Sequence, residues 1–273
     1  MDIGINFPLI LVAATLVTGV IWLIDLAYLR PRRVAAAGQI RAKLGDQSDA
    51  ARESIDKVLA EPVIVEYSIS FFPVLVIVLV LRSFLFEPFQ IPTGSMIPTL
   101  QVGDFVVVNK FAYGIRLPVL RDKIVNVNEP KNGDVMVFIA PNHKEYYIKR
   151  VIGIPGDTVR YQNKTLYING VEQKQTFLAK IPPGDPRLKL YRETVGGVPH
   201  DIQTNLYPDD RLQEWVIPKG QYFVMGDNRD ESSDSRYWGT VPERDIVGKA
   251  VAIWMHKDPG LSLPGFGRDG WIR

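Results

Sequence analysis

Two long apolar stretches near the N-terminus constrain this chain more than any other feature. The first, IGINFPLILVAATLVTGVIWLI, runs from residue 3 to 24 with no charged side chain. The second, YSISFFPVLVIVLVLRSFLF, runs from 67 to 86 and stays uncharged until Arg82. About 20 apolar residues in a helix span the hydrocarbon core of a bilayer. A cleavable secretory signal would carry a basic leader, a shorter apolar core and a small-residue cleavage site. Here Asp2 precedes a long run, so the first stretch is predicted to be a retained anchor. In the second, Pro73 is tolerated near one helix end, and Arg82 is placed to snorkel toward the interface at the other.

The basic residues set the orientation. Arg30, Arg32, Arg33, Arg41, Lys43, Arg52 and Lys57 all lie between the two stretches, and none precedes the first. The positive-inside rule puts that loop in the cytoplasm and everything after Phe86 on the outer side. The predicted organisation is therefore a first transmembrane helix over 1–29, a cytoplasmic loop over 30–66 and a second transmembrane helix over 67–86. Within the loop, RAKLGDQSDAARESIDKVLAE suits either an amphipathic surface helix or a solvated linker.

Beyond Glu87 the pattern changes to short runs rich in Val, Ile, Tyr and Phe bounded by turn residues, the mark of strands. They cover 104–110, 134–140, 145–153, 157–162, 165–170, 221–227 and 248–256. Asn169-Gly170 is a strong hairpin-turn signal. The outer domain is predicted to be mainly β, with catalytic segments 87–157 and 216–273 and an inserted cap over 158–215. From about 172 to 215 the periodicity fades into turn-rich, polar sequence and predicts loop. A formal net charge of +2 gives no reason to expect a nucleic-acid partner. The absence of cysteine excludes disulfides and thiolate chemistry. His143, His200 and His256 are scattered and offer no local triad or HExxH spacing.

One turn stands out chemically. IPTGSMIPTL, residues 91–100, places Ser95 after Gly94 and between two prolines, which limit the freedom of the chain. Alone, this is either an ordinary turn or a positioned nucleophile. A proton acceptor is available in YYIKRVIGIPGD, where Lys149 sits inside an apolar strand. Strand alternation puts Tyr147, Lys149 and Val151 on one face and Ile148, Arg150 and Ile152 on the other, so one of the two cations is expected to face inward. At the ordinary pKa of ~10.4 about one lysine in 2,500 is neutral at pH 7, and a drop of two units raises that fraction roughly a hundredfold. Burial supplies such a drop. Thr93, two residues before Ser95, is a candidate to join the Ser95 N–H in holding an oxyanion. The loop MGDNRDESSDSRYWG (225–239) departs from the calcium-loop pattern, so no metal site is expected. Asp234 and Arg236 suit an ion pair that braces it.

Five ordered stretches carry a resemblance: FEPFQIPTGSMIPTL (86–100), VGDFVVVNKFAYGIRLP (102–118), GDVMVFIAP (133–141), YYIKRVIGIPGD (146–157) and GDNRDESSDSRYWGTVPE (226–243). Together they resemble the bacterial type I signal peptidases, membrane-bound serine proteases with a Ser-Lys dyad. The resemblance implies coiled antiparallel sheets with an inserted cap, and Ser95 as nucleophile with Lys149 as general base. It implies that Thr93 supplies an oxyanion-hole hydroxyl and that Ser232 orients the lysine amine. Asp227, Arg229, Asp234 and Arg236 fall in the supporting polar loop. Ile91, Met96, Leu100 and Ile148 fall where the family lines pockets for small residues at −1 and −3. It implies secretory preproteins and membrane lipid as partners, no cofactor, and an inner-membrane location with the catalytic domain in the periplasm. Two other readings make different demands. A membrane-anchored binding domain without catalysis requires Ser95 and Lys149 to lie apart. A self-cleaving repressor expects a DNA-binding helix-turn-helix where this chain has apolar runs.

Overall fold

The apolar runs form helices, and their bounds follow local chemistry. The computed structural model describes residues 7–44, 49–117, 122–141, 145–184, 186–209 and 211–272. The first four residues of the first apolar run and His143 lie outside them. Helix α1 (Phe7–Ile24) passes through a π-helical turn at Asp25–Leu29 into α2 (Arg30–Leu44). Pro31 has no N–H to offer the Ala27 carbonyl, and the π turn falls at that position. Asp25 is buried and accepts from Arg33 Nη1 and Nη2 at 2.7 and 3.3 Å. The helix therefore outruns its predicted end at 29, because Arg, Ala, Gln and Lys sustain helix well. Of the two expectations for the loop, helix is the one observed: α3 (Asp49–Leu59) buries Ala51 and Ile55 and packs against α2.

Helix α4 (Val63–Val80) begins four residues before its predicted start and ends in a second π turn at Leu81–Leu85. It packs against α1. At their contact a Cβ on Gly19 would come 2.7 Å from the Phe72 ring, so glycine permits the close approach. Trp22 and Phe72 meet there with ring centroids 5.3 Å apart. Elsewhere Leu16, Val17, Phe71, Val74 and Ile77 remain exposed. Helices apolar all round suit a lipid solvent, and both are long and apolar enough to cross a membrane.

Residues 84–273 form a separate unit. Its strands in chain order begin with β1 (Phe86–Gln90), β2 (Asp104–Asn109), β3 (Ile115–Arg116), β4 (Lys123–Val125), β5 (Val135–Ile139) and β6 (Tyr146–Gly153). Next come β7 (Thr158–Gln162), β8 (Thr165–Ile168), β9 (Val171–Glu172), β10 (Gln175–Ile181), β11 (Leu188–Val195) and β12 (Val198–Asn205). The last are β13 (Gln213–Val216), β14 (Gln221–Met225), β15 (Val241–Pro242), β16 (Ile246–His256) and β17 (Gly270–Trp271). The main sheet is antiparallel with order β1-β2-β16-β5-β6-β14-β15, and β17 pairs with β16. Register shifts in β16 against both neighbours curl it, as bulges do.

Alternation along the strands feeds three clusters, the third built on Ile152, Phe223 and Met225. Val135 and Val137 of β5 join Val106, Val108, Ile91, Met96 and Leu100 in one cluster. Met136 and Phe138 join Val151, Tyr222 and Val224 in another. The sheet is thus covered on both faces, which changes the expectation for β6. Lys149 and Arg150 are both buried, at 4% and 0% exposure, so alternation does not separate an inward cation from an outward one.

Besides the two-stranded β3-β4 pair, two further sheets accompany the main one. Strands β13-β7-β8-β9 form one, with Asn169 and Gly170 at φ 52° and 78° in the predicted hairpin turn. Strands β10-β11-β12 form the other, in the stretch expected to be loop. Its strands carry many charges and no regular polar-apolar alternation, as in KLYRETV. Cross-strand pairing such as Arg192 to Asp201 at 2.8 Å supplies the order that hydrophobic periodicity does not announce.

Candidate active site

Ser95 sits in a single 3-10 turn, Gly94–Met96, flanked by extended Thr93 (φ −133°, ψ 157°) and Ile97. Ile91 before the turn and Met96 and Leu100 after Ser95 are anchored in the first core cluster, so the chain is pinned on both sides of the serine. Strand β6 brings Lys149 from 54 residues away: Lys149 Nζ donates to Ser95 Oγ at 2.7 Å and to the Ile148 carbonyl at 3.0 Å. That distance is hydrogen-bond contact, where a non-catalytic binding domain required separation. Ser95 is 9% exposed. Burial is the leading influence on the lysine and drives its pKa down to about 8, while the charges of Asp234 and Asp227 draw it part of the way back. The Tyr147 ring lies 5.4 Å from the ammonium.

The loop from Gly226 to Arg236 holds the serine turn from the other side. Asn228 donates from its backbone N to the Ser95 carbonyl at 3.1 Å, and from Nδ2 to the Gly94 carbonyl at 3.0 Å. A Cβ on Gly226 would fall 2.4 Å from the Ser95 carbonyl oxygen and 2.3 Å from Ser232 Oγ, so the two segments approach as only glycine allows. Asp234 caps α5 (Ser235–Trp238) and accepts from Gly226 N at 3.0 Å. Its predicted partner Arg236 is present, with Nε and Nη2 both 2.8 Å from the carboxylate. Arg236 also donates to the Arg229 carbonyl.

Asp227 and Arg229 find partners outside the loop. Asp227 accepts from Arg150 Nε and Nη2 at 2.9 and 2.7 Å, and from Thr99 Oγ1 at 2.5 Å. Burial alone would raise the Asp227 carboxyl, but the Arg150 charge and hydrogen bonds hold it below its ordinary value. Arg229 is buried and donates to both Glu193 carboxylate oxygens. Burial would likewise raise Glu193, and the Arg229 charge with the His200 contact brings it down to about 2.

Sequence reasoning and structure part at several residues. Ser232 is buried beside Gly226, yet its Oγ makes no hydrogen bond, so the expected bond to the lysine amine is not made. Thr93, expected to join an oxyanion hole, is exposed beside the turn. Of the four residues expected to line specificity pockets, Ile91, Met96 and Leu100 are buried in one cluster and Ile148 packs against it. Only Ile148 keeps appreciable accessible surface. Sequence reading missed the roles of Asn228, Thr99, Arg150 and Glu193. The first three lie inside recognised motifs and were within reach, whereas Glu193 carries no local signal.

Comparison with known proteins identifies the family. The family described as "Signal peptidase, peptidase S26" matches residues 64–255. A signal peptidase I from Pseudomonas aeruginosa is 50% identical, covering 98% of this chain and 99% of its own. One from Pseudomonas fluorescens is 50% identical over 99% and 100%. One from Haemophilus influenzae is 38% identical over 92% and 86%. By both the family match and near full-length identity, the chain belongs to the signal peptidase family, peptidase S26.

Proposed function

We propose that this protein is a membrane-anchored serine endopeptidase that removes signal peptides from secretory preproteins, with Ser95 as nucleophile and Lys149 as general base. The observation that carries the reading is the 2.7 Å contact between a buried lysine amine and the serine hydroxyl. At a pKa of about 8 roughly a tenth of the molecules hold the neutral amine at pH 7. Neutral Lys149 takes the Ser95 Oγ proton as Oγ attacks the scissile carbonyl carbon. The Ser95 N–H and the Thr93 hydroxyl hold the developing oxyanion. The ammonium then gives its proton to the leaving amine, and an acyl-enzyme remains. Water, deprotonated by the same lysine, attacks the ester and restores Ser95.

Residues 87–157 and 216–273 carry the catalysis in this reading, and 158–215 form the insertion. Supporting roles fall to Ser232, Asp227, Arg229, Asp234 and Arg236. Ile148, with Ile91, Met96 and Leu100 beneath it, favours small side chains at −1 and −3 of the substrate. In this reading the catalytic unit lies on the periplasmic side of the inner membrane, which the basic residues between the apolar helices support through the positive-inside rule. An anchor confines enzyme and tethered preprotein to one plane and so raises their effective concentration. The test is cleavage of a model preprotein by detergent-purified protein, with N-terminal sequencing of the product. Cleavage after a small residue at the signal boundary, abolished in Ser95→Ala, is expected. Wild-type cleavage by Ser95→Ala would overturn the assignment.

A further inference from the structure

We propose that the inserted β10–β12 sheet is a working part of the catalytic apparatus, with Glu193 and strand β12 acting through Asn228 as positioning elements for Ser95. The proposal rests on the Ser95–Lys149 reading above. The connection is a continuous run of polar contacts. Strand β12 extends onto the catalytic loop: Gln203 N donates to the Asp227 carbonyl at 3.0 Å, and Arg229 N donates to the Gln203 carbonyl at 2.9 Å. Gln203 and Asn228 form a parallel bridge. Asn228, between those two bonds, reaches the Gly94 and Ser95 carbonyls. The loop segment therefore lies between the insertion and the nucleophile turn and is bonded to each.

Side chains fasten the same junction. Glu193 on β11 has no exposed surface and takes both terminal nitrogens of Arg229. Gln175 of β10 donates to Glu193 Oε1 at 3.0 Å, and His200 Nε2 lies 3.5 Å from Oε2. From the β7–β8 turn Lys164 donates to Asp230 Oδ2 at 2.8 Å and to Asn205 Oδ1 at 2.5 Å. Asp230 Oδ2 also accepts from Asn205 N at 2.7 Å. Close packing does not do this work at the turn itself. Pro98 and Thr99 line one side of a cleft of about 310 Å³ whose other side is Arg192, Pro199, His200 and Asp201. The polar contacts are thus what joins the insertion to the turn, and a shift of the loop is passed to Ser95 through two carbonyls.

The test compares Glu193→Gln, Asn228→Ala, their double variant and Ser95→Ala in the full detergent-solubilised chain. Steady-state and single-turnover cleavage of a model preprotein are followed from pH 6 to pH 10, alongside thermal melts. Expected for Glu193→Gln is a loss of at least tenfold in kcat with KM within twofold. The rising acid-side limb assigned to Lys149 moves, and the loss in the double variant is smaller than the product of the single losses. A purely structural role predicts a lower Tm with unchanged kcat per folded molecule and an unmoved limb, and that result overturns the proposal. If Glu193→Gln does not fold, Lys164→Met decides: a kcat loss of threefold or more at constant KM supports it, and full kcat overturns it. Activity in Ser95→Ala would instead remove the reading beneath it, so the two failures are distinguishable.

Discussion

The sharpest consequence of the site concerns the pH dependence of cleavage. Burial sets Lys149 at about 8, so the amine is neutral in about 9% of molecules at pH 7 and about 91% at pH 9. If neutral Lys149 is the base, kcat/KM rises roughly tenfold across that interval and then levels off. A lysine left at ~10.4 would go from about 0.04% to about 4% neutral, a roughly hundredfold rise still climbing at pH 9. The shape of the limb therefore separates a desolvated base from an ordinary one. The assay is preprotein cleavage at substrate concentrations well below KM, from pH 6 to pH 10, with folding checked at each pH. Lys149→Arg is the companion perturbation. Arginine stays protonated throughout, so its activity falls by more than about a thousandfold at neutral pH. A continuing hundredfold climb, a flat profile, or an arginine variant within tenfold of the wild type would each refute the reasoning.

Three further outcomes follow from the supporting contacts. Asp227→Ala leaves the Arg150 guanidinium buried without its carboxylate, which costs about 3–5 kcal/mol. Denaturant unfolding of the purified chain should show that loss, and adding Arg150→Met should recover part of it. A double variant no more stable than Asp227→Ala would count against the pairing. In Gly226→Ala the new Cβ meets the Ser95 carbonyl oxygen at 2.4 Å. A backbone atom has no rotamer to escape into, so the nucleophile moves and kcat falls on the order of a hundredfold; a fully active variant would show that the turn is not held there. His256 Nδ1 lies 2.7 Å from Asp104, and its bonds to Asp104 and Asp258 raise its pKa above the ordinary 6.5. Its folded value exceeds its unfolded one, so its contribution to stability is fully present below about pH 6.5 and is lost as pH rises through the raised value. Melts of His256→Ala should show a larger drop in Tm at pH 6 than at pH 9, and equal drops would contradict the charge.

How much of this was readable in the sequence depends on the kind of interaction. The two apolar helices were legible because lipid-length runs without charge have few other uses. Strands β2, β5, β6, β14 and β16 were legible because each carries a dense run of Val, Ile, Phe or Tyr. Ser95 and Lys149 were legible because stiff or apolar surroundings made each of them unusual locally. Strands β10 to β12 were not, because their residues follow no regular polar-apolar alternation and their order comes from pairing with one another. The helical continuation through α2 was hidden because polar sequence serves a helix and a linker equally. Glu193 was hidden for a different reason. Its burial depends on Arg229, 36 residues away, and a lone glutamate in a polar stretch gives no sign of a distant cation. Ile91, Met96 and Leu100 were recognisable as apolar neighbours of the nucleophile, but the coverage of the sheet on both faces decides how deeply they are buried.

Lys149 also explains why so many charges surround it in pairs. Desolvation lowers a lysine only while no carboxylate is free to hold its proton. The same burial makes every neighbouring ion costly unless it is matched. Among the described residues here, Arg150 has Asp227, Arg229 has Glu193, and Arg236 has Asp234. Asp227 and Asp234 still pull the lysine upward, but each is already engaged by its own arginine. A spare carboxylate in this cluster would pair with Lys149 and return it toward the charged form. A missing carboxylate would leave an arginine unmatched and loosen the loop that holds Ser95. The one-to-one pairing of arginines and acids meets both demands, leaving Lys149 as the cation in the cluster most ready to give up its proton.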